Sequence, residues 1–304
     1  MTTVEVFAPA KINLTLHVTG QTPNGYHMLD SLVAFADIGD RVYLSTKGPA
    51  VLDVTGPEAA PELSSLDNIM WYTALQFWKP DIPLSMALEK HLPMASGIGG
   101  GSADAAATYR GILLLRNVAE GGADAILPQP EDARKLLQIG ADVPMCVMSE
   151  TARVRGIGEW IDPIAGFPKL PLVLVNPRTQ VSTQSVFMQL ANKENPEMSP
   201  WPTRLDDPKE LIAWLGQQRN DLQAPAIADC PVIAEVLDAV TTDKTCRFAR
   251  MSGSGATCFA LYDDLGAAQT AAERLTVEHP DWWVKSGSLN GGNLVEPQLI
   301  RSTT

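Results

Sequence analysis

Apolar and polar residues alternate from Val4 to Phe7, the pattern of a half-buried strand. The alternation resumes from Ile12 to Val18, which predicts a second strand beginning near Lys11. On it Lys11 and Asn13 share one face, opposite Ile12, Leu14 and Leu16. Asn24-Gly25 is a strong turn signal and leads into a strand over 29–35. Two further strands are predicted between Arg41 and Thr55, then a helix from Leu66 to about Phe77 with Asp67 as its N-cap. Residues 84–92 read as a strand, and Ala103 to Leu115, rich in Ala and Leu, as a long helix. Another helix spans 131–139. After Pro163 the character shifts to a buried strand at 170–175, followed by a helix beginning within 181–187. Three prolines within 191–205 mark a loop or linker-like insertion. Asp207-Pro208 opens an amphipathic helix, and 231–240 and 267–275 are helical as well. Strands are predicted at 258–262 and 282–284. No repeat of fixed period occurs, and the order of elements suits an α+β layer.

Between the strand at 84–92 and the long helix lies Pro93-Met94-Ala95-Ser96-Gly97-Ile98-Gly99-Gly100-Gly101-Ser102. Glycine lets backbone approach a bound group closely, and a helix N-terminus offers unpaired N–H groups and a positive dipole end. Together they make an anion site, most often for phosphate. Ser102 is the expected N-cap of the helix. The spacing fits neither the P-loop, which needs Gly-Lys-Ser/Thr, nor the dinucleotide fingerprint Gly-x-Gly-x-x-Gly. A plain glycine turn before a helix is the structural alternative. Side chains at Ala95 and Ser96 imply negative φ at both.

Composition narrows the picture further. A chain of 304 residues with 45% apolar content can bury a large core in one or two domains. No apolar run is long enough to span a membrane, and the N-terminus lacks a secretory pattern, so a cytoplasmic protein is expected. A net charge of −12 argues against nucleic acid and anionic membranes as partners, but not against a small phosphate ligand held by backbone N–H groups. Four scattered cysteines and four histidines form no zinc spacing, and the thiols are expected reduced.

Four single positions carry candidate chemistry. Lys11 is either a solvated strand-end lysine or a functional cation. Tyr26 and His27 follow the Asn-Gly turn, as hairpin residues or as an aromatic with a donor/acceptor for a flat heterocycle. Asp142, in Gly140-Ala141-Asp142-Val143-Pro144, is a turn aspartate or a general base.

The glycine stretch with its following Ser-Ala-Asp-Ala-Ala resembles the ATP loop of the GHMP kinases, which include galactokinase, homoserine kinase and mevalonate kinase. Pro9-Ala10-Lys11-Ile12-Asn13-Leu14 and Gly25-Tyr26-His27 are similar to the branch that acts on a cytidine-diphosphate-linked methylerythritol. Arg250-Met251-Ser252-Gly253-Ser254-Gly255 resembles the third motif of the family. The resemblance covers nearly the whole chain. It implies a two-domain α+β fold, with a domain like ribosomal protein S5 domain 2 over 1–162 and a ferredoxin-like domain over 163–304. It implies ATP-dependent phosphorylation of the 2-hydroxyl of that small-molecule substrate, in isoprenoid synthesis. Lys11 and Asp142 would be catalytic. ATP would be held by Asn68, Lys90, Pro93, Met94, Ala95, Ser96, Gly97, Ile98, Gly99, Gly100, Gly101, Ser102 and Ala103. The acceptor would be held by Asn13, Tyr26, His27, Thr183, Phe187, Gly253 and Gly255. Mg²⁺ would accompany ATP, with Ser102 as its candidate protein ligand. Another small-molecule GHMP kinase, such as homoserine kinase, and a non-catalytic nucleotide-binding protein on the same fold are the alternatives.

Overall fold

The computed structural model describes residues 2–79, 82–122, 129–290 and 295–300. Its spine is β1 (Thr3–Asn13) against β3 (His27–Ser45), antiparallel from Thr3↔Ser45 to Asn13↔Val33. The predicted start of a new strand near Lys11 does not occur. β1 runs straight through, and the gap falls later, before β2 (His17–Gln21). The register instead shifts between Pro9 and Lys11, where a residue without an N–H costs the ladder least. β3 is likewise one strand of 19 residues that absorbs 41–45, leaving β4 (Leu52–Thr55) as the separate strand of that region. Its length follows from its partners. It pairs with β1, β2, β5 (Ser85–Glu89), β6 (Ala152–Gly156) and β11 (Trp283–Leu289).

The link to β11 joins the two halves of the molecule. Where β3 leaves β1, Ala36 pairs with Leu289, and the sheet continues through β8 (Leu170–Asn176), β10 (Cys258–Leu261) and β9 (Phe248–Met251). β7 (Trp160–Pro163) forms a hairpin with β6, and β12 (Gln298–Ile300) pairs with the outer edge of β1.

Helices α1 (Ile69–Phe77), α2 (Gly100–Ala119), α3 (Ala133–Ile139) and α4 (Val143–Met148) pack against the first half of the sheet. Every residue of α2 from Ala103 to Leu115 is buried, Asp104, Thr108 and Arg110 included. A Cβ at Gly111 would come within 2.6 Å of Leu44, so glycine lets α2 lie against the sheet there. Helices α5 (Thr183–Met188), α6 (Pro208–Gln217), α7 (Gln223–Asp229), α8 (Val232–Thr241) and α9 (Leu265–Glu278) complete the second half. Asp207 caps α6 by accepting from Lys209 N–H at 2.9 Å, as the Asp-Pro start predicts. α7, β9 and β12 carry no periodic signal and were not predicted.

Residues 191–205 are irregular but do not behave as a linker. Met198 is buried, its N–H donates to Asp30 Oδ2 at 2.8 Å, and Asp30 also takes both arms of Arg153 at 2.7 Å. The Trp214 indole donates to Pro200 O at 2.9 Å. Apolar burial and backbone bonds thus hold the insertion down on β2 and α6. The four cysteines are free, three of them buried. Among the described residues no helix is long and apolar enough to cross a membrane.

Candidate active site

The shifted register after Pro9 turns Lys11 inward, and its N–H donates to Ile98 O at 2.9 Å. Its ammonium meets Asp142, 131 residues away, with Nζ 2.7 Å from Oδ2. Asp142 occupies the N-cap position of α4 without capping it through its side chain, so its carboxylate faces outward to the lysine. The lysine side chain is buried, whereas that of Asp142 is 37% exposed and open to a ligand. Arg110, buried within α2, holds both elements. It donates to Cys146 O and Val147 O in α4 and to Phe7 O in β1, at 2.7, 3.2 and 2.8 Å. Burial lowers this guanidinium to about 10, and it remains a cation at neutral pH.

The glycine loop stands over this pair. Gly97 and Gly99 have φ of +74° and +67°. The N-cap of α2 is Gly99, not Ser102, which falls three residues into the helix. A cap must leave helical geometry, and the left-handed Gly99 does so at no Cβ cost. Ala95 has φ +49°, contrary to the negative value expected, a conformation costing a non-glycine residue roughly 1–2 kcal/mol. The N–H groups of Gly100, Gly101 and Ser102 lie in the first turn of α2 and have no intrahelical acceptor. Ile98 and Ala103 turn away from the cleft. The Ile98 side chain is fully buried in the core, and the Ala103 N–H is spent on Gly99 O at 2.8 Å.

A second glycine loop locks the first. Thr257 N–H donates to Ser96 O, and Ser252 Oγ donates to Gly97 O while accepting from Asn13 N–H. A Cβ on Gly97 would stand 2.6 Å from Gly255 O, and one on Gly253 2.7 Å from Gly97 O. Gly253 borders the cleft. Gly255 does not, because it is pressed against the back of Gly97. Asn220 holds this loop through Met251 O and Gly253 O at 2.8 and 2.9 Å.

Opposite the glycine loop, Tyr26 is 61% exposed at the rim. His27 stacks on Phe187 of α5, centroids 4.7 Å apart and planes 22° from parallel. Phe187 therefore faces His27 rather than Tyr26. Burial and Lys193 lower the His27 pKa, and its Nε2 is buried without a hydrogen-bond partner among the described residues. Thr183 Oγ1 lies 2.8 Å from Ser254 Oγ, and Asn13 donates to Ser31 Oγ at 2.8 Å. These groups line one cleft of about 1260 Å³ that runs from Tyr26 past Lys11 and Asp142 to Asn68 and Met94.

At the far end Asn68, not Asp67, caps α1. It accepts from Met70 N–H at 2.9 Å and donates to Leu63 O at 2.7 Å. Lys90 borders the cleft, but its ammonium is bound by Asp40 and Asp104 at 2.5 and 2.8 Å. Sequence reasoning missed Asp40, Arg110 and Asn220 as site-shaping residues, since each acts on partners distant along the chain. Among the described residues no three acidic, His or Cys side chains converge to hold a metal ion. The Ser102 hydroxyl lies at the cleft wall.

Residues 68–150 match the GHMP kinases N terminal domain and 203–280 the GHMP kinases C terminal domain. The chain belongs to the GHMP kinases. Within them it is similar to 4-diphosphocytidyl-2-C-methyl-D-erythritol kinase of Roseobacter denitrificans, 49% identical over 94% of this chain and 93% of that protein. The kinase of the same name from Ruegeria pomeroyi is also 49% identical, over 93% of this chain and 98% of its own. A crystal structure of 4-(cytidine 5'-diphospho)-2C-methyl-D-erythritol kinase superposes with a TM-score of 0.73 at 29% identity, covering 95% of this chain and all of that one. Homoserine kinase from Cytophaga hutchinsonii shares the fold, with a TM-score of 0.62 at 16% identity over 98% of this chain and 97% of its own.

Proposed function

We propose that the protein transfers the terminal phosphoryl group of ATP to the 2-hydroxyl of 4-diphosphocytidyl-2-C-methyl-D-erythritol, a step of isoprenoid synthesis. The observation that carries this reading is the Lys11–Asp142 pair, 2.7 Å apart, in the same cleft that the glycine loop, His27 and Phe187 line. Asp142 accepts the hydroxyl proton as the oxygen attacks. Lys11 orients the carboxylate and offsets charge building on the reacting oxygens. The N–H groups of residues 97–102 hold the ATP phosphates, which the positive end of α2 also favours. Asn68 and Met94 border the nucleotide end. Ser102 Oγ would be the protein ligand of Mg²⁺, which would supply charge neutralisation of the phosphates when bound. His27 and Phe187, stacked on each other at the cleft wall, hold the cytosine ring and read its edge. Most of the rate enhancement is then positioning and electrostatics.

The test is ADP formation with the diphosphocytidyl acceptor, homoserine and mevalonate side by side. Turnover with the first alone is expected. Turnover with homoserine or mevalonate instead would transfer the chain to another branch, and none with any acceptor would leave a nucleotide-binding protein.

A further inference from the structure

The chain leaves the sheet after Glu89, with Lys90 the first residue beyond it, and rejoins regular structure in α2, where Asp104 stands in the second turn. One ammonium joins these two ends, because Lys90 Nζ donates to Asp104 Oδ2 at 2.8 Å. It also donates to Asp40 Oδ2 at 2.5 Å, and Asp40 Oδ1 accepts from His91 N–H and Leu92 N–H at 2.6 and 2.8 Å. Asp40 thus fixes the incoming strand end by three bonds, and Lys90 carries that anchor across to α2. All three side chains are at most 5% exposed. Gly100, the first residue of α2, lies directly over the ammonium, where a Cβ would be 3.3 Å from Nζ. Burial works against the lysine's charge, yet the Asp104 and Asp40 carboxylates outweigh it and hold the group above the ordinary lysine value.

We propose that Asp40, Lys90 and Asp104 form a buried staple that closes the base of the glycine loop, making Lys90 a positioning residue and not a phosphate ligand. The proposal rests on the reading of this loop as the nucleotide site. An ammonium saturated by two carboxylates would have to abandon them to reach a phosphate, stranding buried charge.

The test is calorimetric binding of a non-hydrolysable ATP analogue and, separately, of CDP, with thermal melts on each protein. Asp104→Ala cuts the staple and frees Lys90. Binding of the ATP analogue is expected to weaken about tenfold, the worth of about one hydrogen bond, with CDP binding unchanged. If Lys90 were a phosphate ligand, the same variant would bind the analogue as well or better, and the proposal would fall. Equal losses for both ligands would also overturn it, as the sign of a general loss of structure. The triple variant Asp40→Asn/Lys90→Met/Asp104→Leu removes all three charges together and keeps an acceptor for the His91 and Leu92 N–H groups, a change often neutral or stabilising. It is expected to retain analogue binding within about threefold, whereas a lost ligand would abolish it. Wild-type protein that binds CDP but no ATP analogue would refute the nucleotide reading itself, before any variant is compared.

Discussion

The glycines of the loop separate into those the fold needs and those a ligand needs, and alanine at each tells them apart. Gly97 is the structural case. Its φ of +74° costs an alanine about 1–2 kcal/mol, and the new Cβ would sit 2.6–2.7 Å from Gly255 O and Ser252 O, which are backbone atoms with little room to give. Gly101 is the opposite. It is the second residue of α2, its φ is ordinary, and a Cβ there meets only Ile69 Cγ2, at 4.0 Å. Alanine in a helix is favoured over glycine by roughly 0.5–1 kcal/mol, so Gly101→Ala should raise Tm by about 1–4 °C. Gly97→Ala should lower it by at least about 2–4 °C. Ligand binding reverses the ranking for Gly101. The open space beside it is the cleft, and a methyl there keeps phosphate from the first-turn N–H groups. Losing one charge-assisted hydrogen bond costs about 1.5–3 kcal/mol, or roughly 10–150-fold in ATP affinity. Thermal melts and calorimetry on both variants measure the two effects. Unchanged ATP affinity in Gly101→Ala would show that no phosphate rests on the start of α2. An unchanged Tm in Gly97→Ala would show that the two glycine loops do not support each other.

Asp142→Asn should keep both ligand affinities and lower kcat by roughly 10²–10⁴, the range for a positioned general base, and a near-normal kcat removes Asp142 from that role. Phe187→Ala should weaken binding of the cytidyl acceptor by about 1–3 kcal/mol, measured by calorimetry. His27→Ala should erode the preference for cytidine over uridine, read as the ratio of kcat/KM values, and an intact ratio means that His27 does not read the base. His17 is neutral in the fold, with Nε2 accepting from Arg219 N–H at 3.0 Å and Nδ1 facing Pro196 O at 3.2 Å, and burial lowers its pKa. Below about pH 6.5 the unfolded chain therefore binds the extra proton, and the stability this group contributes is lost as pH falls from there. Tm should drop less between pH 7.5 and 5.5 in His17→Gln than in the wild type, and parallel curves would exclude the group.

Local chemistry was legible without a structure. The glycine loop before an Ala/Leu helix, the Asn24-Gly25 turn and the Asp207-Pro208 helix start each depend on neighbours within a few residues, and each is present, though the helix begins at Gly100, inside the glycine stretch. Near-continuous resemblance to one kinase family supplied the candidates Lys11 and Asp142. Their meeting was invisible to periodicity, because it spans 131 positions and depends on a register shift in β1 and on Arg110 pinning α4. Strand lengths failed for the same reason. β3 runs for 19 residues because five other strands pair with it, and no local window contains them. Lys90 shows the division most clearly. The resemblance set it among the nucleotide-holding residues, and in the fold Asp40 and Asp104, 50 and 14 residues away, pair with its ammonium. Short-range preferences are written in consecutive residues, whereas burial decides which distant charges must neutralise each other, and only the folded chain sets what is buried.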